Sequence, residues 1–186
     1  MGSFYTNVTV LGASIEDVRG VAVGEAFAAG TAEDVVVFAA ADDEGHAVTA
    51  PLLAGALDRT VVVASVFDDD LLHVEIVDAG GLRGSVTAPD PVALFGLDDE
   101  MLADLQEDAA PSGPPLTAES LVQVIGRGDA ARAAAVLAGD YVFATDRHAE
   151  LLAALDLPLV AAGHGFRYLD GDPSERPPGV QLLGDD

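Results

Sequence analysis

The sequence predicts an α+β fold: a two-layer sandwich, ferredoxin-like or of a related mixed-sheet type, with an antiparallel hairpin and a mainly helical C-terminal extension. Three observations support this prediction. Short apolar strands alternate with two helical segments over the first ninety residues. An apolar strand leads into an acidic turn, and a run that alternates apolar and polar residues follows this turn. A segment rich in Pro and Gly then precedes several segments with helical periodicity.

The first four elements follow from residue type and spacing. Residues 4–11 are rich in β-branched and aromatic side chains, which favour a strand. Residues 14–23 begin with a serine followed by two acidic residues, a pattern typical of a helix N-terminus. Residues 34–41 form a second apolar strand, and residues 45–57 form an Ala- and Leu-rich helix with a proline in its first turn.

Three further strands complete the first half of the chain. Residues 60–67 are continuously apolar, as in a strand that is buried on both faces. Residues 71–77 alternate, so that one face of this strand is apolar and the other carries a histidine and a glutamate. Residues 82–87 follow a Gly-Gly turn. The order predicts an antiparallel meander.

A Pro/Gly linker at 108–116 divides the chain into a core domain, 1–107, and an extension, 117–186. The alternative is that the extension packs on the core to form a single domain. Within it we expect helices at 117–126 and 129–137, and a third that opens at Asp146 and stops before Pro158. Short strands are predicted at 141–144, 159–162 and 166–169, followed by an irregular tail from residue 170.

The composition excludes several kinds of chemistry. The chain of 186 residues has no cysteine, so thiol nucleophiles, disulfides and cysteine metal sites are absent. Its eight basic residues are all arginine, which excludes a Schiff-base lysine and a P-loop lysine. No catalytic motif stands out and no cofactor is expected, so an enzyme is the less favoured interpretation.

Acidity is the dominant property of the sequence. Thirty-two acidic residues give a formal net charge of −24, which disfavours binding to nucleic acid or to anionic lipid. The bias agrees with a GC-rich bacterial genome, with a high-salt habitat, or with an acidic face that meets a basic partner. The first ten residues lack a basic region and the longest apolar runs have only strand length, so we expect a cytoplasmic protein that does not span a membrane.

One stretch concentrates the side chains that could recognise an anion. Arginine can bind a carboxylate or phosphate through two donors, histidine titrates near neutral pH, and tyrosine both stacks and forms hydrogen bonds. The six candidates are Tyr141, Arg147, His148, His164, Arg167 and Tyr168. The competing interpretation is structural: the arginines neutralise nearby acids, His148 lies on an exposed helix face, and the aromatic rings fill the core. No metal site is predicted, and Asp68, Asp69 and Asp70 are weak candidates on a turn.

These observations leave two hypotheses for function. The first is a non-catalytic binding or interaction module, with a basic protein as the possible partner. The second is a small enzyme or ligand-binding domain that uses residues 141–168 to hold an anionic small molecule. A homo-oligomer is a further possibility, for which the apolar runs Val35–Val37 and Val61–Val63 are candidate edge strands.

Overall fold

A seven-stranded antiparallel sheet forms the centre of the protein in the computed structural model, which describes residues 3–21, 23–42, 47–96 and 113–184. The strand order is β6-β5-β4-β1-β3-β2-β7. The strands are β1 (Tyr5–Leu11), β2 (Ala26–Gly30), β3 (Asp34–Ala39), β4 (Val61–Phe67), β5 (Leu71–Asp78), β6 (Gly81–Ala88) and β7 (Val180–Leu183). Hydrogen bonding therefore joins a strand from the end of the chain to a sheet built from its first half.

Helices cover both faces of this sheet. The described helices are α1 (Ile15–Arg19), α2 (Thr49–Leu57), α3 (Pro91–Phe95), α4 (Ala118–Ile125), α5 (Ala130–Ala138), α6 (Ala144–Ala154) and α7 (Phe166–Asp170), with three short 3-10 turns between them. Helix α1 begins with a capping box in which Ser14 and Asp17 satisfy each other's backbone N–H groups. Thr117 and Ser120 form the equivalent pair at the start of α4.

The two sheet faces carry separate apolar cores because successive side chains of a strand point to opposite sides. On one face, Val8, Val10 and Val63 pack with α1 and α2. On the other face, Phe27 and Phe38 pack with α4 to α7. The α+β class is confirmed. The two-layer and ferredoxin-like details are not confirmed, because the sheet is larger than a simple ferredoxin sheet and helices lie on both of its faces.

Several local predictions were wrong. The tail beyond residue 170 contains β7, and the Ala-rich strand β2 was not predicted. Residues 159–162 and 166–169 form a 3-10 turn and α7 rather than strands, and 141–144 lead into α6. The 14–23 segment yields only the short helix α1.

The runs that were considered as edge strands lie inside the sheet. Val35–Val37 belong to β3, which pairs with β1 and β2, and Val61–Val63 belong to β4, which pairs with β1 and β5. Neither run presents a free edge. The described strands at the two margins of the sheet are β6 and β7.

The C-terminal segments are attached to the sheet at several points. Helix α6 packs on β4 and β5, and Arg127 forms ion pairs with Glu33 and with the buried Asp34 at the start of β3. Of the predicted linker, residues 108–112 lie outside the described residues, whereas Pro114 and Leu116 hydrogen-bond to Ser85 of β6. Across the described ranges, no helix has the length and apolar character required to cross a membrane.

Candidate functional site

Asp69 joins three distant chain segments at the end of the sheet where β4 turns into β5. Its backbone N–H donates to the carbonyl of Ser3 (3.2 Å), and its own carbonyl accepts from the N–H of Ala144 (2.6 Å). Its carboxylate accepts from the Thr145 hydroxyl (2.8 Å) and from the Ser3 N–H (3.2 Å). Burial acts to raise the pKa of Asp69, but these hydrogen bonds together leave it below its ordinary value. The start of β1, the acidic turn and the start of α6 are thereby held together.

Tyr5 and His148 form a buried pair beneath this junction. The Tyr5 hydroxyl lies 2.9 Å from His148 Nδ1, and the two rings are stacked with their centroids 5.8 Å apart. Burial lowers the pKa of His148 to about 3 and raises that of Tyr5 to about 12, so both are neutral at pH 7. The other ring nitrogen, Nε2, is buried and has no hydrogen-bond partner among the described residues. His148 is only 1% exposed and cannot contact a ligand at the surface.

Arg147 lies next in sequence but belongs to a different cluster. Its guanidinium donates to the Gly139 carbonyl (2.8 Å) and stacks over the Tyr141 ring, 5.0 Å from the centroid. Tyr141 in turn donates to Glu150 (2.7 Å). Burial lowers the pKa of Arg147. Arg147 is 2% exposed, and its Nε is buried with no hydrogen-bond partner among the described residues, so its guanidinium is withheld from solvent.

The remaining predicted residues lie in the loop before α7 and in α7 itself. The His164 ring donates to the Val160 carbonyl (3.1 Å), and the His164 carbonyl accepts from the Asn7 side chain (3.0 Å). Tyr168 lies near enough to Tyr5 to contribute to the raised pKa of Tyr5. About half of Tyr168 is exposed. Arg167 is exposed on the same short helix.

The six predicted residues therefore divide into groups. His148 and Tyr168 lie around Tyr5, with His164 in the loop held by Asn7. Tyr141 and Arg147 form their own cluster, and Arg167 is exposed on α7. The three turn aspartates also differ, since Asp69 is held by hydrogen bonds whereas Asp68 and Asp70 are exposed. Within the described ranges, no group of three or more potential ligands is arranged to hold a metal ion.

Sequence reasoning missed Tyr5, Asn7 and Thr145, which connect β1 to the C-terminal segments. The burial of His148 carried a usable signal. His148 lies four residues after Ala144, three before Leu151 and four before Leu152, which is the spacing of one helix face. Tyr5 and Asn7 carried no comparable signal, because their partners lie more than 140 residues away.

Exposed apolar residues are adjacent in sequence to the two residues whose backbones bond to the acidic turn. Phe4 is 57% exposed and follows Ser3, which bonds to Asp69; Val142 and Phe143 are 83% and 51% exposed and precede Ala144, which bonds to the same residue. We call Phe4, Asp68, Asp70, Val142 and Phe143 the acidic–apolar surface.

Comparison of the chain with protein-family models, with curated proteins and with solved structures gives no match to any of the three.

Proposed function

We propose that the protein is a non-catalytic cytoplasmic interaction module that binds a basic segment of another protein on the acidic–apolar surface. The observation that carries this proposal is the placement of three exposed apolar side chains beside exposed aspartates. The strand order β4-β1-β3-β2, with α1 and α2 on one face, supports a ferredoxin-like unit as the scaffold for this surface.

The apolar part of the surface provides contact area. Phe4, Val142 and Phe143 leave more than half of each side chain in solvent, an arrangement that costs free energy unless a partner covers it. Aromatic rings at the centre of an interface commonly supply much of its affinity. A partner with Leu, Val or aromatic side chains fits these residues.

The acidic part determines the charge of the partner. Asp68 and Asp70 lie on either side of Asp69, which bonds to Ser3 and Ala144 next to the apolar residues. Arg147, a cation of α6, is buried with its guanidinium bonded to Gly139. The net charge of −24 adds a long-range field that accelerates encounter with a cation and repels an anion. A basic, partly apolar segment meets both requirements.

The hydrogen bonds of Asp69 make the surface preorganised. They attach the backbones of Ser3 and Ala144 to one turn, so the adjacent residues Phe4 and Phe143 have fixed backbone positions before any partner arrives. Preorganisation reduces the ordering entropy lost on binding. The second hypothesis, an anion site in residues 141–168, has less support because His148 and Arg147 are each buried to 98% or more.

A defined probe tests the proposal. The probe is a dye-labelled synthetic 12-residue peptide that alternates Arg and Leu, compared with its Glu–Leu analogue by fluorescence anisotropy at low and at physiological salt. We expect the Arg peptide to bind, the Glu peptide not to bind, and affinity to fall with salt.

Matched variants localise the binding. The double variant Val142→Ser/Phe143→Ser should weaken the Arg peptide by about tenfold or more, since it removes the apolar anchors. Leu52→Ser is the control, because Leu52 is 46% exposed on α2, which packs on the opposite face of the sheet. Equal affinity of the double variant and the control would overturn the proposal.

The charged residues have their own control. The double variant Asp68→Asn/Asp70→Asn should also weaken the affinity for the Arg peptide by about tenfold. The control Asp58→Asn/Asp156→Asn removes the same charge at the opposite end of the strands and should change that affinity by less than about twofold. Asp58, Asp68 and Asp156 share positive φ angles of 50° to 52°, which asparagine tolerates. Equal effects of both pairs would show that net charge alone attracts the peptide.

A further inference from the structure

We propose that the outer edge of β7 pairs with β7 of a second copy of this chain, which joins two seven-stranded sheets into one. Among the described strands, β7 has a neighbour, β2, on one side only. The other side presents backbone N–H and C=O groups that a further strand can use. This contact is separate from the acidic–apolar surface.

The two margins of the sheet differ in protection. Beyond β6, the chain returns as Pro114–Leu116: the Ser85 N–H donates to Pro114 O (3.1 Å), and the Leu116 N–H donates to Ser85 O (2.8 Å). Prolines in such a segment cannot donate to a further strand, so this edge is blocked at its middle, around Ser85. No described segment covers β7 in the same way.

The composition of β7 also favours pairing. Natural edge strands are commonly protected by charged side chains, yet Val180–Leu183 contains none, although the chain carries 40 charged residues. Leu182 is 51% exposed. A cavity of about 560 Å³ lies next to the strand and is lined by Val18, Arg19, Glu25 and Leu183 among others, so side chains do not fill the space between the end of α1 and β7.

Symmetry specifies the register. A two-fold axis perpendicular to the sheet keeps each side chain on the same face in both copies. Directly paired residues share a face and side chains alternate along a strand, so a residue of one β7 must pair with the same residue of the other β7 or with one that is two positions away. Centring the axis on Gln181 places Gln181 opposite Gln181 of the second copy, and Val180 opposite Leu182 on both sides. The half-exposed Leu182 is then covered by an apolar neighbour. Gln181 Oε1 accepts from Arg19 (3.5 Å), which leaves the amide NH2 of Gln181 as a donor towards the second copy.

Charge repulsion makes the assembly dependent on salt. Two chains of −24 each repel strongly when the Debye length is about 30 Å, at 0.01 M salt, and weakly when it is about 3 Å, at 1 M salt. Sedimentation equilibrium in 0.01 M and 1 M NaCl should show a monomer at low salt and a dimer at high salt. Leu182→Lys should abolish the dimer, whereas the control Leu52→Lys should retain it. A monomer at 1 M salt up to about millimolar concentration, or a dimer unaffected by Leu182→Lys, overturns the proposal.

Cross-linking tests the register without relying on a destabilising variant. The chain has no cysteine, so Gln181→Cys introduces a single thiol. Two such thiols facing each other across paired strands, oxidised by glutathione disulfide, form an intermolecular disulfide and reduce the oxidant to glutathione. We expect a covalent dimer for Gln181→Cys in 1 M NaCl and at least about tenfold slower cross-linking for Leu52→Cys. Equal rates for the two variants would contradict pairing through β7.

Discussion

The buried His148 makes a specific prediction about stability and pH. Its ring is 1% exposed, and burial lowers its pKa from an ordinary 6.5 to about 3. The unfolded chain therefore binds a proton at this residue below pH 6.5, while the folded chain does so only near pH 3. Because the unfolded state binds more protons in this interval, the free energy of unfolding falls as pH falls from 6.5 towards 3.

The magnitude follows from the same two values. Each pH unit inside the interval is worth about 1.4 kcal/mol, and the whole interval corresponds to about 5 kcal/mol. Between pH 7 and pH 4, His148 should reduce the free energy of unfolding by about 3 kcal/mol. The many carboxylates of the chain also titrate in this range, so the contribution of His148 must be isolated by a variant.

Urea unfolding at pH 7, 6, 5 and 4 provides the assay, comparing the wild type with His148→Asn. Asparagine can retain a hydrogen bond to the Tyr5 hydroxyl but does not titrate, and its lost packing costs a free energy that does not depend on pH. We expect the variant to be less stable at pH 7 and to gain about 3 kcal/mol relative to the wild type by pH 4.

A second variant separates titration from hydrogen bonding. Tyr5→Phe removes the partner of His148 Nδ1 but leaves the ring buried, so it should lower stability while keeping most of the pH dependence. If the stability difference between the wild type and His148→Asn stays constant within about 0.5 kcal/mol from pH 7 to pH 4, the burial argument for His148 is wrong.

Two pairs of variants test how the C-terminal segments are attached. Arg127→Gln leaves the 3%-exposed Asp34 side chain without its cation and should cost about 2 kcal/mol in urea unfolding, whereas Glu33→Gln, at a 73%-exposed partner, should cost less than about 1 kcal/mol. Equal costs would refute the importance of the buried carboxylate. Gly84→Ala puts a methyl group 2.5 Å from Pro114 O and should cost about 1–3 kcal/mol, while Gly55→Ala meets open space on α2 and should stabilise by up to about 1 kcal/mol. A neutral Gly84→Ala would show that Pro114–Leu116 is not held against β6.

Five of the six strands in the first half of the chain, β1 and β3 to β6, could be predicted because residue type and buried position agree there. In β5, Leu72, Val74 and Ile76 alternate with more polar residues, and the structure buries that set. The strand β2 could not be found in this way. Its sequence, AFAAG, has low β propensity, and it forms a strand because β3 and β7 pair with it on both sides.

The candidate site depended even more on contacts between distant residues. Residues 166–169 were predicted as a strand, but with Gly165 in extended conformation before them they fold as part of α7 against β1 and β2. Asp69 was recognised only as one acidic residue of three. Its importance comes from Ser3 and Thr145, which lie 66 and 76 residues away, and short-range patterns contain no information on such pairs.

Binding at the acidic–apolar surface is the central claim, and residue-level mapping tests it most directly. The measurement is a titration of ¹⁵N-labelled protein with the unlabelled Arg–Leu peptide, followed by amide chemical shifts. The account predicts that the largest changes occur at residues 3–5, 68–70 and 142–145, with little change at Asp58, Asp78 and Asp156. Changes spread over all acidic positions, or centred on the end of the sheet that carries Asp58 and Asp78, would contradict it.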